Sequence, residues 1–453
     1  MTETLRRKLN DSAAARWTVL AVVAFTMFCG YFITDVMAPL QDMLSVELGW
    51  NASDYGFFTS AYGWFNVFLF MLIISGIILD KMGVRFTGVG AAILMILGCG
   101  LKFYAVSGLA DFSGTIFGFN TQVVVAAIGF AIFGVGVETA GITVTKVIVR
   151  WFKGHEIALA MGLQVAVARI GTALALSISI PLAKHFQHIS APVLFGLGLL
   201  CIGLIAYLVF CVMDRKLDAS VKEDEAEKEE PFRIKDIGSI ITNKGFWLIA
   251  LLCVLFYSAV FPFLKYATSL MINKYGLEPE LAGNIPALLP FGTILLTPLF
   301  GGIYDKKGRG ASIMIIGAAL LIVVHFLFSL PLLNVWWFAT LLMILLGIAF
   351  SLVPSAMWPS VPKIIPENKL GSAYALIFYV QNIGLSMVPL LIGMVLNKYC
   401  TLGTNPDGSP IYDYTLPMII FTCFGVLAFA VALLLKIEDK KKGYGLELPN
   451  MKK

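Results

Sequence analysis

Long apolar runs, separated by short polar segments, dominate this chain. Each run holds about 20 or more residues, the length that an α-helix needs to cross a hydrocarbon core ~30 Å thick. The pattern predicts twelve membrane-spanning helices, at 17–40, 54–79, 86–107, 122–149, 155–183, 192–213, 246–272, 282–304, 312–332, 335–360, 368–396 and 415–436.

One polar segment is much longer than the other loops and divides the spans six and six. It contains the sequence EDEAEKEEPFRIKD, which predicts a solvated linker with an amphipathic piece on the membrane surface. We therefore expect an N-terminal six-helix bundle over 1–213, a linker over 214–243 and a C-terminal six-helix bundle over 244–453. A single chain of this kind is expected to function as a monomer in the lipid bilayer.

Composition supports an all-α membrane protein. The 453 residues are 58% hydrophobic and 13% charged, whereas soluble chains carry roughly 25% charged residues. The 42 glycines suit close helix packing in a bilayer. The net charge of +5 is spread over short loops, so no nucleic-acid surface is indicated.

Basic residues are distributed unequally between the two sides of the predicted bundle. Of 33 Lys and Arg residues, only Lys102, Lys184, Lys274 and Lys398 fall on the side opposite the termini. Because Lys and Arg concentrate in cytosolic loops, both termini and the linker are predicted to lie in the cytosol. Three basic residues remain inside helices: Lys146, Arg169 and Lys265.

The two halves repeat one another at two places. GIILDKMGVRF follows the second span and GGIYDKKGRG follows the eighth, which aligns Asp80 with Asp305. ARIGTAL in the fifth span aligns with QNIGLSM in the eleventh, which places Arg169 opposite Asn382. Such internal symmetry is typical of a duplicated transporter fold with two pseudo-symmetric bundles.

The G-x-x-x-D-x-x-G-x-R pattern, with its degenerate second copy, resembles the signature of the major facilitator superfamily. That resemblance covers the whole chain and implies the superfamily's twelve-helix fold. It implies that Asp80 latches the cytosolic face near the start of helix eleven, with Arg85 and Arg150 close by. The second copy has no arginine at Gly310, so a latch at Asp305 is less well supported.

Glu138 and Arg169 are charges embedded in consecutive spans. Glu138 is about 18 Å along its helix from Arg150, and Arg169 is about 21 Å from His155, at 1.5 Å per residue. Both should therefore lie near mid-membrane, where charges face a cavity or a partner. They either form a structural ion pair or hold the two ends of a zwitterion, Glu138 the ammonium and Arg169 the carboxylate.

The other embedded charges allow several roles. Lys146 lies two turns from Glu138 toward the cytosol, where it snorkels or contacts a cytosolic gate. Lys265, beyond Pro262, either contacts a substrate carboxylate from the second half or snorkels outward. Asp35 is predicted at an outer gate. Aromatic and amide side chains on other helices are the predicted cavity walls: Tyr62, Trp64, Tyr257, Trp358, Tyr379, Gln381 and Asn382.

Several stretches narrow the resemblance to one branch, typified by major facilitator superfamily domain-containing protein 1, a dipeptide transporter of animal lysosomes. They include YGFFTSAYGWFN, GVETAG, ALAMGLQVAVARIG and YALIFYVQNIG. The branch's embedded glutamate and arginine fall on Glu138 and Arg169, which implies that these residues hold a dipeptide. The N-terminal tail has no acidic dileucine sorting signal, so we expect a bacterial cytoplasmic membrane.

Other functions are also considered. A carrier for another small organic anion or amino acid would use Lys265 as a second cation, and proton coupling through Glu138 is left open by the sequence. A non-transporting receptor is a further alternative. The four histidines are scattered, and no phosphate-binding loop is present. We therefore expect no metal, no cofactor, no enzyme activity and no ATP-driven transport.

Overall fold

The computed structural model describes residues 9–152, 155–219, 234–366 and 369–449, which are mainly helical. Two short antiparallel hairpins, β1–β2 and β3–β4, lie in loops. The α-helices are α1 Ala13–Asp35, α2 Gln41–Leu48, α3 Ala52–Ser60, α4 Trp64–Phe68, α5 Met71–Val106, α6 Thr121–Phe152, α7 Ile157–His185, α8 Ala191–Asp218, α9 Ile234–Ile241, α10 Lys244–Tyr275, α11 Pro279–Ala282, α12 Asn284–Lys307, α13 Gly310–Ser329, α14 Trp336–Ile364, α15 Leu370–Tyr399 and α16 Thr415–Lys442. The strands are β1 Thr115–Ile116, β2 Phe119–Asn120, β3 Thr401–Thr404 and β4 Pro410–Tyr412.

Eleven helical segments in the described part of the chain are long and apolar enough to cross a membrane. The predicted span over 54–79 is not a continuous helix. It is divided into α3, a 3-10 turn over 61–63, α4 and the start of α5, with Phe70 at φ 53° between the last two. The remaining part joins the third span through Gly83, so the second and third spans form one long, kinked element.

The ends of several helices follow from local sequence. The Asn51 side chain accepts a hydrogen bond from the Asp54 amide, and the Asp54 carboxylate accepts one from the Asn51 amide. This reciprocal capping box starts α3 immediately after a turn. Asn243 similarly caps α10 by accepting from the Phe246 amide. Gly276 ends α10 with φ 64°, a conformation that glycine adopts without a steric penalty.

The internal repeat is visible in the backbone. The aligned motif glycines Gly83 and Gly308 both have a positive φ, of 76° and 71°. A Cβ on Gly171 would lie 2.4 Å from the Phe28 carbonyl of α1. A Cβ on Gly384 would lie 2.1 Å from the Ser258 hydroxyl of α10. Equivalent helix pairs of the two bundles therefore cross closely at equivalent glycines.

The polar segment predicted over 214–243 is partly described. The sixth span continues to Asp218, five residues beyond the predicted boundary, because Asp214 and Asp218 pair with arginines of the same bundle. Residues 220–233 lie outside the described part of the chain. The last part of the segment forms α9, and Lys244 begins the seventh span.

The two bundles touch closely at one end of the molecule. We call the end with Asp80, Arg150 and Asp218 the linker face, and the opposite end, with Gly49 and Gly276, the far face. Near the far face, a Cβ on Gly56 of α3 would lie 2.8 Å from the Gly393 Cα of α15. Because glycine has no Cβ, helices of opposite bundles can meet backbone to backbone here.

The substitution Gly56→Val should open the far face, because the added side chain has no space against α15. Val46 and Leu281 are exposed positions of opposite bundles near the far face. The distance between spin labels at these two positions, measured by double electron–electron resonance, should increase. Gly198→Val is the control, since a Cβ at Gly198 meets nothing within 4 Å. An unchanged distance in the Gly56 variant would contradict this packing role.

Candidate substrate cavity

A cavity of about 700 Å³ lies between the two bundles and is partly open to solvent. Both bundles contribute polar and charged side chains to its wall. Of the residues selected from the sequence, those that line it are Asp35, Tyr62, Glu138, Arg169, Lys265 and Gln381.

Glu138 is held on the cavity wall by the broken second span. Its carboxylate accepts a hydrogen bond of 2.7 Å from the Tyr62 hydroxyl. Tyr62 belongs to the 3-10 turn between α3 and α4, which lies directly against α6. A Cβ on Gly134, one turn before Glu138, would be 2.0 Å from the Tyr62 carbonyl, so this approach requires glycine. The local break therefore aims a tyrosine at the glutamate.

Arg169 is surrounded by aromatic rings rather than by carboxylates. Its guanidinium carbon is 5.6 Å from the Tyr31 ring centroid, 5.3 Å from Phe261 and 5.4 Å from Phe350. Such cation–π contacts contribute roughly 0.5–2 kcal/mol each. Within the described residues, no carboxylate lies within 4.0 Å of this guanidinium. The structural ion pair with Glu138, one of the two readings of the sequence, is thus not formed here.

Lys265 and Asp35 form an ion pair between the bundles. The Lys265 ammonium is 2.6 Å from the Asp35 carboxylate and donates a second hydrogen bond, of 2.7 Å, to the Thr34 carbonyl. Both side chains are only 13% exposed. The Tyr55 hydroxyl donates to the Lys265 carbonyl at 2.8 Å. Lys265 therefore joins α10 to the end of α1, and it does not snorkel toward the surface.

A family model decides the class of protein. Residues 20–389 match the model of the Major Facilitator Superfamily. This chain belongs to that superfamily. It is accordingly a multi-pass membrane transporter, and the predicted two-bundle architecture is confirmed.

The curated relatives share a single name. The chain is 29% identical over 396 residues to the lysosomal dipeptide transporter MFSD1 of Mus musculus, a match that covers 85% of this chain and 81% of the relative. It is 26% identical over 443 residues to the MFSD1 of Danio rerio, covering 96% and 89%. Both alignments thus cover more than four fifths of this chain and of the relative.

Solved transporter structures share the fold at low sequence identity. A bacterial homologue of the human lysosomal transporter Spinster, inward-facing and occupied, has a TM-score of 0.71 at 13% identity and covers 95% of this chain and 98% of its own. The nucleoside transporter NupG has a TM-score of 0.69 at 16% identity, covering 93% and 98%. These likenesses establish the fold alone.

Five further residues selected from the sequence lie beside the cavity and do not line its wall. The Trp358 indole donates to the Tyr257 hydroxyl at 3.1 Å, within an aromatic group that includes Phe261 and Phe350, two of the three rings around Arg169. Trp64 donates to Ser60 of its own segment. Tyr379 stacks on Phe70 of the opposite bundle, and Asn382 donates to the Phe378 carbonyl one turn earlier on α15.

The ion pairs described for Asp80, Arg85 and Arg150 at the linker face lie within the N-terminal bundle. Asp80 accepts a 2.8 Å bond from Lys146 and makes no ion pair with Arg85 or Arg150 in the described residues. Those two arginines instead bind Asp218 and the buried Asp214 of α8. Asp80 thus pairs with Lys146 in this conformation, and the latch from Asp80 to the start of helix eleven stays a prediction.

The second motif copy contacts the C-terminal segment. The Arg309 amide donates to the Glu447 carbonyl at 2.9 Å, and the Ser312 amide donates to the Glu447 carboxylate at 2.8 Å. Asp305 lies on α12, two residues before the end of that helix. The C-terminal segment thus binds the start of α13. This is the place at which the second motif copy has Gly310 instead of an arginine.

Three aromatic residues around Arg169 were not selected from the sequence: Tyr31 and Phe261, which line the cavity, and Phe350. Phe261 lies four residues after Tyr257 and four before Lys265, a spacing that places all three on one helix face. Tyr31 precedes Asp35 by the same spacing. This periodicity was a usable signal for both. No pattern singles out Phe350 in its uniformly apolar helix.

Removing one partner of the Asp35–Lys265 pair should destabilise the protein by about 3–5 kcal/mol, because a charge is left without its partner. The variants are Asp35→Asn and Lys265→Met, with melting temperature as the readout. The double variant should recover most of the loss. The control is the pair Lys184–Glu280, which also joins the bundles but is more than 40% exposed; its variants should cost about 0–1 kcal/mol. Additive losses in the Asp35–Lys265 double variant would contradict the coupling.

Proposed function

We propose that this protein is a dipeptide transporter that works by alternating access, with Glu138 binding the peptide ammonium and Arg169 its carboxylate. The observation that carries the proposal is the presence of opposite charges on one cavity wall without an ion pair between them. A zwitterion supplies both missing partners at once. The dipeptide-transporter name shared by the relatives supports the same substrate class.

The environment of each group suits its proposed role. Tyr62 occupies one carboxylate oxygen of Glu138, which leaves the second oxygen for an ammonium. The three rings around Arg169 restrict the guanidinium without using its N–H donors, so the fork remains available to a carboxylate. Preorganisation of this kind lowers the entropy that binding must overcome.

The contacts between the bundles support a state of the transport cycle that is closed at the far face and open at the linker face. Ion pairs and glycine contacts join the bundles near the far face, whereas at the linker face the pairs of Arg85 and Arg150 with Asp218, and of Lys244 with Glu438, each stay within one bundle. With the linker face in the cytosol, as the distribution of Lys and Arg predicts, this conformation would release substrate inward. Rocking of the bundles about the cavity would then expose it to the other side.

An organic-anion carrier is the competing function, with Lys265 as its second cation. In this conformation the Asp35 carboxylate neutralises Lys265 at 2.6 Å. Arg169 is then the one cavity-lining cation without a carboxylate partner among the described residues. This arrangement favours a ligand that also carries an ammonium for Glu138.

The proposal predicts which end of the peptide each residue recognises. Alanyl-alanine should raise the melting temperature of the purified protein, because ligand that binds only the folded state stabilises it, by about 2.7 kcal/mol at 100 Kd. N-acetylation or C-amidation of the peptide should each remove the effect. In Glu138→Gln, the stabilisation by alanyl-alanine should fall to that given by its N-acetyl form. In Arg169→Met, it should fall to that given by its C-terminal amide.

Asp407→Asn, in the exposed β3–β4 loop, is the control and should behave as the wild type. Stabilisation by simple carboxylic acids but not by dipeptides would overturn the assignment in favour of an anion carrier. Dipeptide binding without flux in proteoliposomes would instead indicate a receptor.

A further inference from the structure

A small side pocket adjoins the main cavity toward the far face. The two share Thr34, Thr59 and Lys265 in their walls. The side pocket is lined in addition by Lys102 of α5 and by Phe130 of α6. Two ammonium groups, one from each bundle, therefore face one small space.

Lys102 is an unusual residue for this position, because its side chain is buried, with the residue only 1% exposed. Its ammonium donates one hydrogen bond, of 3.1 Å, to the Ile33 carbonyl and lies 4.9 Å from the Phe130 ring centroid. Within the described residues, no carboxylate lies within 4.0 Å of it. An ammonium has three donors, so Lys102 retains capacity for an acceptor in the side pocket.

Capping of α1 explains only part of this arrangement. Ile33 and Thr34 are among the last residues of α1, so their carbonyls lack partners in the helix. Lys102 and Lys265 supply one donor each. The C-terminal end of a helix carries roughly half a negative elementary charge, which is less than the full positive charge that Lys102 adds.

The charge balance of the whole site is positive. The charged side chains that line the main cavity and the side pocket are three cations, Arg169, Lys265 and Lys102, and two carboxylates, Glu138 and Asp35. A neutral dipeptide binds as a zwitterion and leaves this excess in place. A dipeptide with one acidic side chain removes it.

We propose that the side pocket between Lys102 and Lys265 is an anion subsite that receives one oxygen of the side-chain carboxylate of an acidic dipeptide. The inference rests on the proposed dipeptide function and adds a preference, among dipeptides, for those of net negative charge. The Lys265 ammonium forms the entrance from the main cavity, and Lys102 lies at the inner wall. The phenyl ring of Phe130 lies beneath both ammonium groups, 4.9 Å from Lys102 and 5.9 Å from Lys265.

The test compares two nearly isosteric peptides, alanyl-glutamate and alanyl-glutamine, by calorimetric titration of the full-length protein in chloride-free HEPES–Tris buffer. Alanyl-glutamate should bind about tenfold more tightly, since one unit charge is compensated at low effective dielectric. The ratio of the two affinities is the readout, so partial loss of folded protein in a variant does not affect it.

Lys102→Met and Lys265→Met should each bring the affinity ratio to about one, because either change cancels the positive excess. Lys102→Arg, which keeps the charge, should preserve a preference for alanyl-glutamate. Lys398→Met, an exposed lysine of α15 near the far face, is the matched control and should leave the ratio unchanged.

Equal binding of both peptides to the wild type would overturn the subsite while leaving the dipeptide function intact. An undiminished ratio in Lys102→Met would likewise overturn it. If neither peptide binds, the proposed function itself is wrong. Stabilisation by added chloride, lost in Lys102→Met and without preference for alanyl-glutamate, would show that the pocket binds an inorganic anion and would refute the peptide subsite.

Discussion

The ion pair between Asp35 and Lys265 is the contact on which the far side of this structure depends. Each charge lies largely out of water, so each needs the other, and the two belong to opposite bundles. On the same side of the molecule, α3 and α15 join the bundles through the close approach of Gly56 and Gly393. Opening the far face must separate these charges, and water or a ligand must then replace the lost partner. The same pair therefore closes the cavity and makes its opening sensitive to charged ligands.

Unlike Asp35 and Lys265, the side chains of Glu138 and Arg169 do not form an ion pair with each other. The break in the second span supplies Tyr62 to Glu138, and three aromatic rings enclose Arg169. Neutral partners fix the two side chains but leave their charges uncompensated. A charged group in a low-dielectric wall then favours a ligand of opposite charge more strongly than it would in bulk water. The wall of the cavity thus combines one satisfied ion pair with two groups that await a ligand.

Much of this architecture could be predicted from local signals. Apolar run length predicts the spans, and the aligned glycines Gly83 and Gly308 predict a repeat that the backbone shares. Charges inside apolar helices select Glu138 and Arg169. The partners of the linker-face arginines could not be predicted, because Asp214 and Asp218 lie at the end of a span where carboxylates are common. The interruption of the second span also escaped prediction, since hydropathy does not register a 3-10 turn that is stabilised by packing on Gly134.

The unequal distribution of contacts between the two faces bears on how the transport cycle is driven. At the far face a largely buried pair joins the bundles, whereas the linker-face pair Arg85–Asp218 is partly exposed and lies within one bundle. Exposed pairs contribute about 0–1 kcal/mol, so they resist rearrangement little. A ligand shifts the balance between states only by its difference in affinity for them. A substrate group that competes with Asp35 for Lys265 would have that difference, because it binds at the contact that distinguishes the two states.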